Sequence, residues 1–298
     1  MDIEHFKQRY AEDGFCVVPG LFSVAEVAAM RAANDEIIGR ARGRTASDDV
    51  FDLERSHRPD APRVRRIKRP HDVLPYFRTL AADAKILSYV SALIGPDIRL
   101  HHSKVNLKTA QYGAPLEWHQ DWAFIPHSNQ DLVIAAVLLD DCTPENGPVL
   151  YIPGSHRGPL HPHHHGGRFY GAIDVAATGL DVAKAVPALG PAGSVVFHHT
   201  MTAHGSALNR SDADRRLLFY EYAAADAWPL FYTPDYDEYD ARMVAGQSCF
   251  EPRLEPVYVC MPVRAATAGQ IYALQEDFAG RYFATYEEEG AEAAALPR

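Results

Sequence analysis

Cysteine is sparse. The four residues Cys16, Cys142, Cys249 and Cys260 are scattered over 298 positions, and no two form a C-x-x-C pair. That spacing argues against a zinc ribbon or thioredoxin-type site and predicts reduced, mostly buried thiols in a cytoplasmic protein. Long apolar runs are missing too. The longest, Leu132 to Leu139, is strand-sized, well short of the roughly 18 residues of a membrane span. Met1-Asp2-Ile3-Glu4-His5 has no basic stretch leading into an apolar core, so no secretory signal is expected. Positive charge is in deficit: 29 basic residues stand against 39 acidic ones, a net −10. A phosphate backbone repels such a chain, which points away from unspecific nucleic-acid binding, although a local basic pocket can still hold a small anion. The expected partner is therefore a small molecule, with neither nucleic acid nor membrane involved.

What remains is an ordinary globular composition, 47% apolar and 23% charged. Ile3 to Asp13 reads as a helix with Ile3, Phe6 and Tyr10 on one face, and Phe15 to Val18 as a strand stopped by Pro19-Gly20. Ser23 with Glu26 three residues on is a capping box, opening a helix that turns Val27, Met30 and Ile37 inward and ends near Gly39. Residues 40–72 are polar and basic, with Arg63, Arg65, Arg66, Lys68 and Arg69 close together. They read as a solvated loop, or as a lid over an anionic ligand. A second helix spans about Ala82 to Ile94 and stops at Gly95-Pro96. Short strands between turns follow: Ile98–Leu107, Leu132–Leu139, Val149–Ile152, Ser194–His198 and Arg216–Tyr222. Helices first and strands afterwards predict a mainly β fold with flanking helices packed outside an antiparallel core. The division expected is one domain: a mostly helical flank over 1–97, a β core over 98–225, a C-terminal extension over 226–286, and an acidic, flexible tail over 287–298.

Histidine is the outlier, with fifteen copies in clusters. In Trp118-His119-Gln120-Asp121-Trp122, a strand would point His119 and Asp121 the same way. An imidazole and a carboxylate side by side can take neighbouring positions on one metal ion. A second histidine from elsewhere would complete the two-His-one-carboxylate facial triad of non-haem Fe(II) oxygenases. The segment Phe197-His198-His199-Thr200-Met201-Thr202-Ala203-His204 offers three candidates, and spacing alone leaves them open. After a polar turn come Arg215 and Arg216, which point to opposite faces of the next strand. Across adjacent antiparallel strands, a histidine and an arginine can face one cavity. Iron and a fixed guanidinium there suit a dicarboxylate that chelates metal at one end and pairs with arginine at the other. His102, Lys104 and Asn106 share one strand parity, as expected of a strand lining a site; Lys104 reads equally well as a solvent-facing edge residue.

Trp118-His119-Gln120-Asp121, Asn146-Gly147-Pro148, Ile152-Pro153-Gly154-Ser155-His156 and His204-x-Ser206-x-x-Asn209-x-Ser211-x-x-x-Arg215 resemble the phytanoyl-CoA dioxygenase family of Fe(II)/2-oxoglutarate oxygenases. The resemblance runs from Asp13-Gly14-Phe15 to about Ala225 and implies a double-stranded β-helix (jelly-roll, cupin-like) core. It implies His119, Asp121 and His204 as iron ligands and Arg215 as the partner of the far carboxylate of 2-oxoglutarate. Ser206 would assist Arg215, and Asn106 and Lys104 are the further candidates for cosubstrate contact. The cofactors implied are Fe(II), 2-oxoglutarate and O2, and the reaction implied is hydroxylation of an unactivated carbon of a small-molecule metabolite with release of succinate and CO2. A carboxylate at 121 argues against halogenation, since the halogenating branch has a small residue there. One departure is Gly193-Ser194, where many relatives have Gly-Asp.

Two rivals use the same residues: a zinc hydrolase on the triad, and a non-catalytic jelly-roll binding module. Neither needs Arg215. His161-Pro162-His163-His164-His165 reads as a mobile loop at the mouth of the site. Trp122, Phe124, Phe197 and Phe219 suit either a substrate pocket or the core. For substrate charge the cues oppose each other. Arginines 63 to 69 favour an anion, and the acidic aromatic run from Tyr232 to Tyr239 favours a cation.

Overall fold

The computed structural model describes residues 1–111, 113–267, 270–286 and 288. The chain opens with α1 (Ile3–Asp13), β1 (Phe15–Val18) and α2 (Val24–Gly39). The capping box at Ser23 and Glu26 is formed in both directions. Strands β2 (Phe51–Leu53) and β3 (Val64–Lys68) come next, then α3 (Pro70–Val73), α4 (Pro75–Ala81) and α5 (Ala84–Ile94). The helix expected from about Ala82 to Ile94 is α5, which starts two residues later because the Asp83 side chain caps Lys85 N; α3 and α4 before it were not expected. The strands β4 (Ile98–Lys108), β5 (Leu116–His119), β6 (Leu132–Leu138) and β7 (Leu150–Tyr151) precede a small hairpin, β8 (His164–His165) and β9 (Arg168–Phe169). After α6 (Val175–Thr178) come β10 (Val186–Pro187), β11 (Val195–His199), β12 (His204–Ser206) and β13 (Arg215–Ala224). The extension carries α7 (Tyr236–Asp240), β14 (Met243–Ala245) and α8 (Ile271–Gln275). Of the expected flexible tail, only Glu288 lies among the described residues.

Two antiparallel sheets form the jelly roll. The larger runs β1-β11-β6-β13-β4-β3-β2, with β14 added beside β4, and the smaller runs β10-β7-β12-β5. Central strand β6 shows how the layers are built. Val133, Ala135 and Val137 join the core shared with the helices, where Phe6, Met30, Phe77 and Val90 pack. Ile134, Ala136 and Leu138 face the other way, into the space between the sheets with Phe15, Tyr151, Leu217 and Phe219. Both faces are covered, so all seven residues are buried and the strand reads as one apolar run.

The basic stretch 40–72 is a solvated loop only in part: residues 42–47 and 58–60 are exposed, but the cluster from Val64 to Lys68 is not loop. Strands β2 and β3 extend the large sheet, with Arg66 beside Asn106 and Lys68 beside Lys104. Arg66 is only 5% exposed. The histidine run 161–165 is also docked rather than loose. His163 is buried and its Nε2 accepts from Gln120 N at 2.9 Å, while His164 and His165 form β8. Of the four free thiols, Cys16 and Cys142 are buried, Cys249 is half-buried and Cys260 is exposed. Among the described residues, no helix is long and apolar enough to cross a membrane.

Candidate active site

β5 ends at His119, and Asp121 opens a single 3-10 turn, Asp121–Ala123. The expected strand through Asp121 is therefore too long, but Gln120 between them is extended, which keeps the two side chains on one side. His204 starts β12 and stands directly opposite His119 across the β12–β5 pair, ring centroids 4.1 Å apart. One ligand atom from each of His119, Asp121 and His204 lies within 4.8 Å of the others, and all three residues are buried.

The rest of each imidazole fits metal binding. His119 Nδ1 lies 2.7 Å from Glu117 O and His204 Nδ1 lies 2.9 Å from Thr202 O. Each Nδ1–H donates to its carbonyl, which fixes the tautomer and leaves the Nε2 lone pair facing the centre. Burial, reinforced by His204, holds His119 well below the usual histidine range. Burial also brings His204 down to about 4, so both rings are neutral near pH 7. Burial alone would raise the Asp121 carboxyl. The opposing pull of His204, Lys104 and the His198 hydrogen bond holds it well below the carboxylate range. Two neutral imidazoles and one carboxylate are the donor set a ferrous ion takes.

His198 does not join the triad. It sits on β11 behind Asp121, with Nε2 3.1 Å from Asp121 Oδ2 and Nδ1 3.0 Å from Tyr151 OH. His199 is turned to the other side, where its Nδ1 accepts from Met201 N. His156 bonds Ala11 O in a turn.

His204 and Arg215 do not lie on adjacent strands, as the sequence suggested. β12 belongs to the small sheet and β13 to the large one, and the two residues meet by facing one cavity from opposite sheets. His119, Asp121, Ser206, Asn106 and Lys104 line the same cavity. Arg215 is 2% exposed and donates from Nη2 to Gly147 O at 2.8 Å. Its Nε and the Oδ1 of Asn106 are buried without a hydrogen-bond partner among the described residues. A buried guanidinium with an idle donor is shaped for an incoming carboxylate. Arg216 points outward and is spent on Asp140 and Asp35.

Lys104 is no edge residue. Its ammonium pairs with Glu221 at 2.7 Å, and it lies between this cavity and a second one of about 240 Å³. Asp121 lines both. Phe219 lines the first and Phe124 the second, whereas Trp122 and Phe197 are core residues. Three neighbours of the site escaped the sequence reading, Glu221, Tyr151 and Tyr272, and His198, a ligand candidate there, supports Asp121 instead. Glu221 and Tyr151 fall at inward positions of apolar strands, a signal visible only once the register is known. Tyr272 comes from α8, far away in the chain, and nothing local marks it.

A jelly roll carrying two histidines and a carboxylate at one end of a cavity, and a buried arginine in it, has the architecture of the non-haem Fe(II)/2-oxoglutarate oxygenases. The comparisons agree. The profile of the phytanoyl-CoA dioxygenase (PhyH) family matches residues 10–217, and the chain belongs to that family. A relative from Stutzerimonas stutzeri described as a "probable alpha-ketoglutarate-dependent hypophosphite dioxygenase" is 33% identical over 93% of this chain and 98% of its own. An ectoine dioxygenase of Stutzerimonas stutzeri strain A1501 is 29% identical over 74% of this chain and 76% of its own. Among solved structures, the apoform of EctD from S. alaskensis superposes with a TM-score of 0.65 at 25% identity, covering 88% of this chain and 89% of that one. The chain is an Fe(II)/2-oxoglutarate-dependent dioxygenase acting on a small molecule. The zinc-hydrolase and silent-module readings are thereby set aside.

Proposed function

We propose that His119, Asp121 and His204 hold the iron, and that Arg215, assisted by Ser206, Asn106 and Lys104, seats the far carboxylate of 2-oxoglutarate. One observation carries this. The compact donor set and the buried guanidinium with an idle Nε line a single cavity, as a dicarboxylate bridging the two requires. Bound there, Fe(II) with 2-oxoglutarate and O2 supplies the oxidising chemistry, with succinate and CO2 released. The chain's residues do the rest. The two carbonyls on Nδ1 aim the imidazoles, Gly147 O fixes the guanidinium, and Phe219 and Val149 narrow the cavity between the sheets.

The second cavity, which shares Asp121 and Lys104 with the first, is the proposed place of the substrate. At about 240 Å³ it is small compared with the roughly 300–1,000 Å³ of pockets for drug-sized ligands. The outcome proposed is hydroxylation. The relatives are named for unlike substrates, hypophosphite and ectoine, and hypophosphite has no carbon at all. The same reading takes residues 1–298 as one oxygenase domain and the cytoplasm as its setting, which the free thiols support.

Anaerobic titration with Fe(II) and then 2-oxoglutarate tests it. A saturable visible charge-transfer band is expected in wild type, lost in His204→Ala and weakened in Arg215→Ala. A folded protein that gives no band would overturn the assignment.

A further inference from the structure

Resting on the oxygenase reading, we propose that the 240 Å³ cavity recognises a compact oxyanion and that Arg66 is the residue that binds it. The inference starts from charge pairing on the inner face of β2, β3, β4 and β13. Asp52 pairs with Lys68 at 2.7 Å, and Glu221 pairs with Lys104 at 2.7 Å. Further along the same face, Lys108 and Arg215 bind the carbonyls of Ser206 and Gly147. Of the three cations nearer the second cavity, Arg66, Lys68 and Lys104, two are matched by these carboxylates, so one positive charge is left over. It is Arg66, whose guanidinium forms no hydrogen bond or ion pair with any described residue although the residue is only 5% exposed. Asp121, the other carboxylate on the cavity, is committed to the metal centre.

A buried guanidinium without a partner is costly, because its desolvation goes uncompensated. Such a group persists where a ligand supplies the missing charge. Its surroundings suit an anion: His101 and His102 line the cavity beside it, and His101 Nδ1 is likewise buried without a partner. The planar fork of Arg66 matches the two oxygens of a carboxylate, phosphinate or phosphonate. Phe124, Ile125 and Ile271 close the apolar side. A cationic substrate would find Glu221 already taken by Lys104, and the acidic aromatic run 232–239 does not line this cavity.

The test uses the anaerobic holoenzyme with Fe(II) and 2-oxoglutarate bound, so that Arg215 is occupied. Acetate, phosphite and methylphosphonate are titrated while the chelate band is followed, with tetramethylammonium as the cationic control. The three anions separate planar from tetrahedral and organic from inorganic recognition. At least one anion should shift the band saturably, with affinity weakened roughly tenfold in Arg66→Lys, which loses the fork, and roughly 100-fold in Arg66→Met. A band indifferent to every anion, or shifted only by the cation, overturns the anion site and leaves the oxygenase reading intact. Absence of any band in wild type overturns both. Thermal melting gives a second readout. Arg66→Met, of similar length and uncharged, should melt at or above wild type without ligand, because an unpaired buried charge is gone. A clear fall in Tm would show that Arg66 serves the fold and would overturn the proposal.

Discussion

His198 holds the rear of Asp121. Its Nε2 lies 3.1 Å from Asp121 Oδ2, and Tyr151 OH lies 3.0 Å from its Nδ1. The chain has one consistent polarity: the tyrosine hydroxyl donates to Nδ1, and Nε2–H donates to the carboxylate. His204 Nε2 approaches the same Oδ2 at 3.5 Å, so the bond from His198 orients the carboxylate toward the metal position. Groups behind metal ligands commonly contribute about 10- to 100-fold in affinity. His198→Ala should weaken Fe(II) binding by that order. Tyr151→Phe should weaken it less, since the direct bond to Asp121 survives. Anaerobic Fe(II) titration with a circular dichroism control measures both, and unchanged affinity in His198→Ala would reduce the contact to packing.

Arg215→Ala should act on 2-oxoglutarate and spare the metal. A hydrogen bond to a charged group contributes about 1.5–3 kcal/mol, so the KM for 2-oxoglutarate should rise roughly 10- to 150-fold. Fe(II) affinity should hold, because Arg215 belongs to the cosubstrate part of the cavity. Equal losses for metal and cosubstrate would mean that the variant disturbs the whole cavity.

Gly147 controls that arginine through its carbonyl, which accepts from Arg215 Nη2 at 2.8 Å. Its φ of +69° is left-handed, and an added Cβ would fall 2.7 Å from Ala207 O. Gly147→Ala therefore meets both backbone strain and a clash with a fixed carbonyl. The expected result is a loss of more than about 1 kcal/mol in stability, together with a raised KM for 2-oxoglutarate. Denaturant melts and steady-state kinetics check the two parts separately.

How much of this was legible in the sequence depends on whether the signal is local. α1 and α2 were readable because amphipathic spacing and the Ser23–Glu26 capping box lie within a few turns of chain. β6 was readable because both of its faces are apolar. β5 and β12, four and three residues long, were not, since polar ligands interrupt any alternation. β2 and β3 were mistaken for loop because charged residues such as Asp52, Arg66 and Lys68 line their inner side. A hydrophobic pattern cannot announce a strand that faces a polar cavity. His119, Asp121, His204 and Arg215 could be picked out by motif, yet the sheets on which they stand could not. Choosing Arg215 over Arg216 by spacing was impossible, because neighbours on a strand differ only in which face they meet.

Glu117, next to Trp118 on the strand that ends in His119, makes stability depend on pH. Its carboxylate accepts from Tyr282 N at 2.7 Å and from Phe283 N at 3.3 Å. Phe283 in turn stacks on Trp118, with centroids 5.7 Å apart, so this carboxylate tethers the C-terminal segment to β5. Burial nonetheless pushes the Glu117 carboxyl up from 4.5 to about 7, against the pull of those two donors. Between these values the folded protein keeps a proton that the unfolded chain has released. Stability must then fall as pH rises through the window. Glu117→Gln keeps an acceptor for both backbone N–H groups and removes the titration. Its Tm should match wild type near about pH 5 and exceed it near about pH 8, by an amount on the order of a few degrees. Glu54, also pushed up to about 7, titrates in both proteins and cancels in the difference. A Tm difference that stays flat with pH, or that favours wild type at the alkaline end, would show that the ionised carboxylate is what holds the segment.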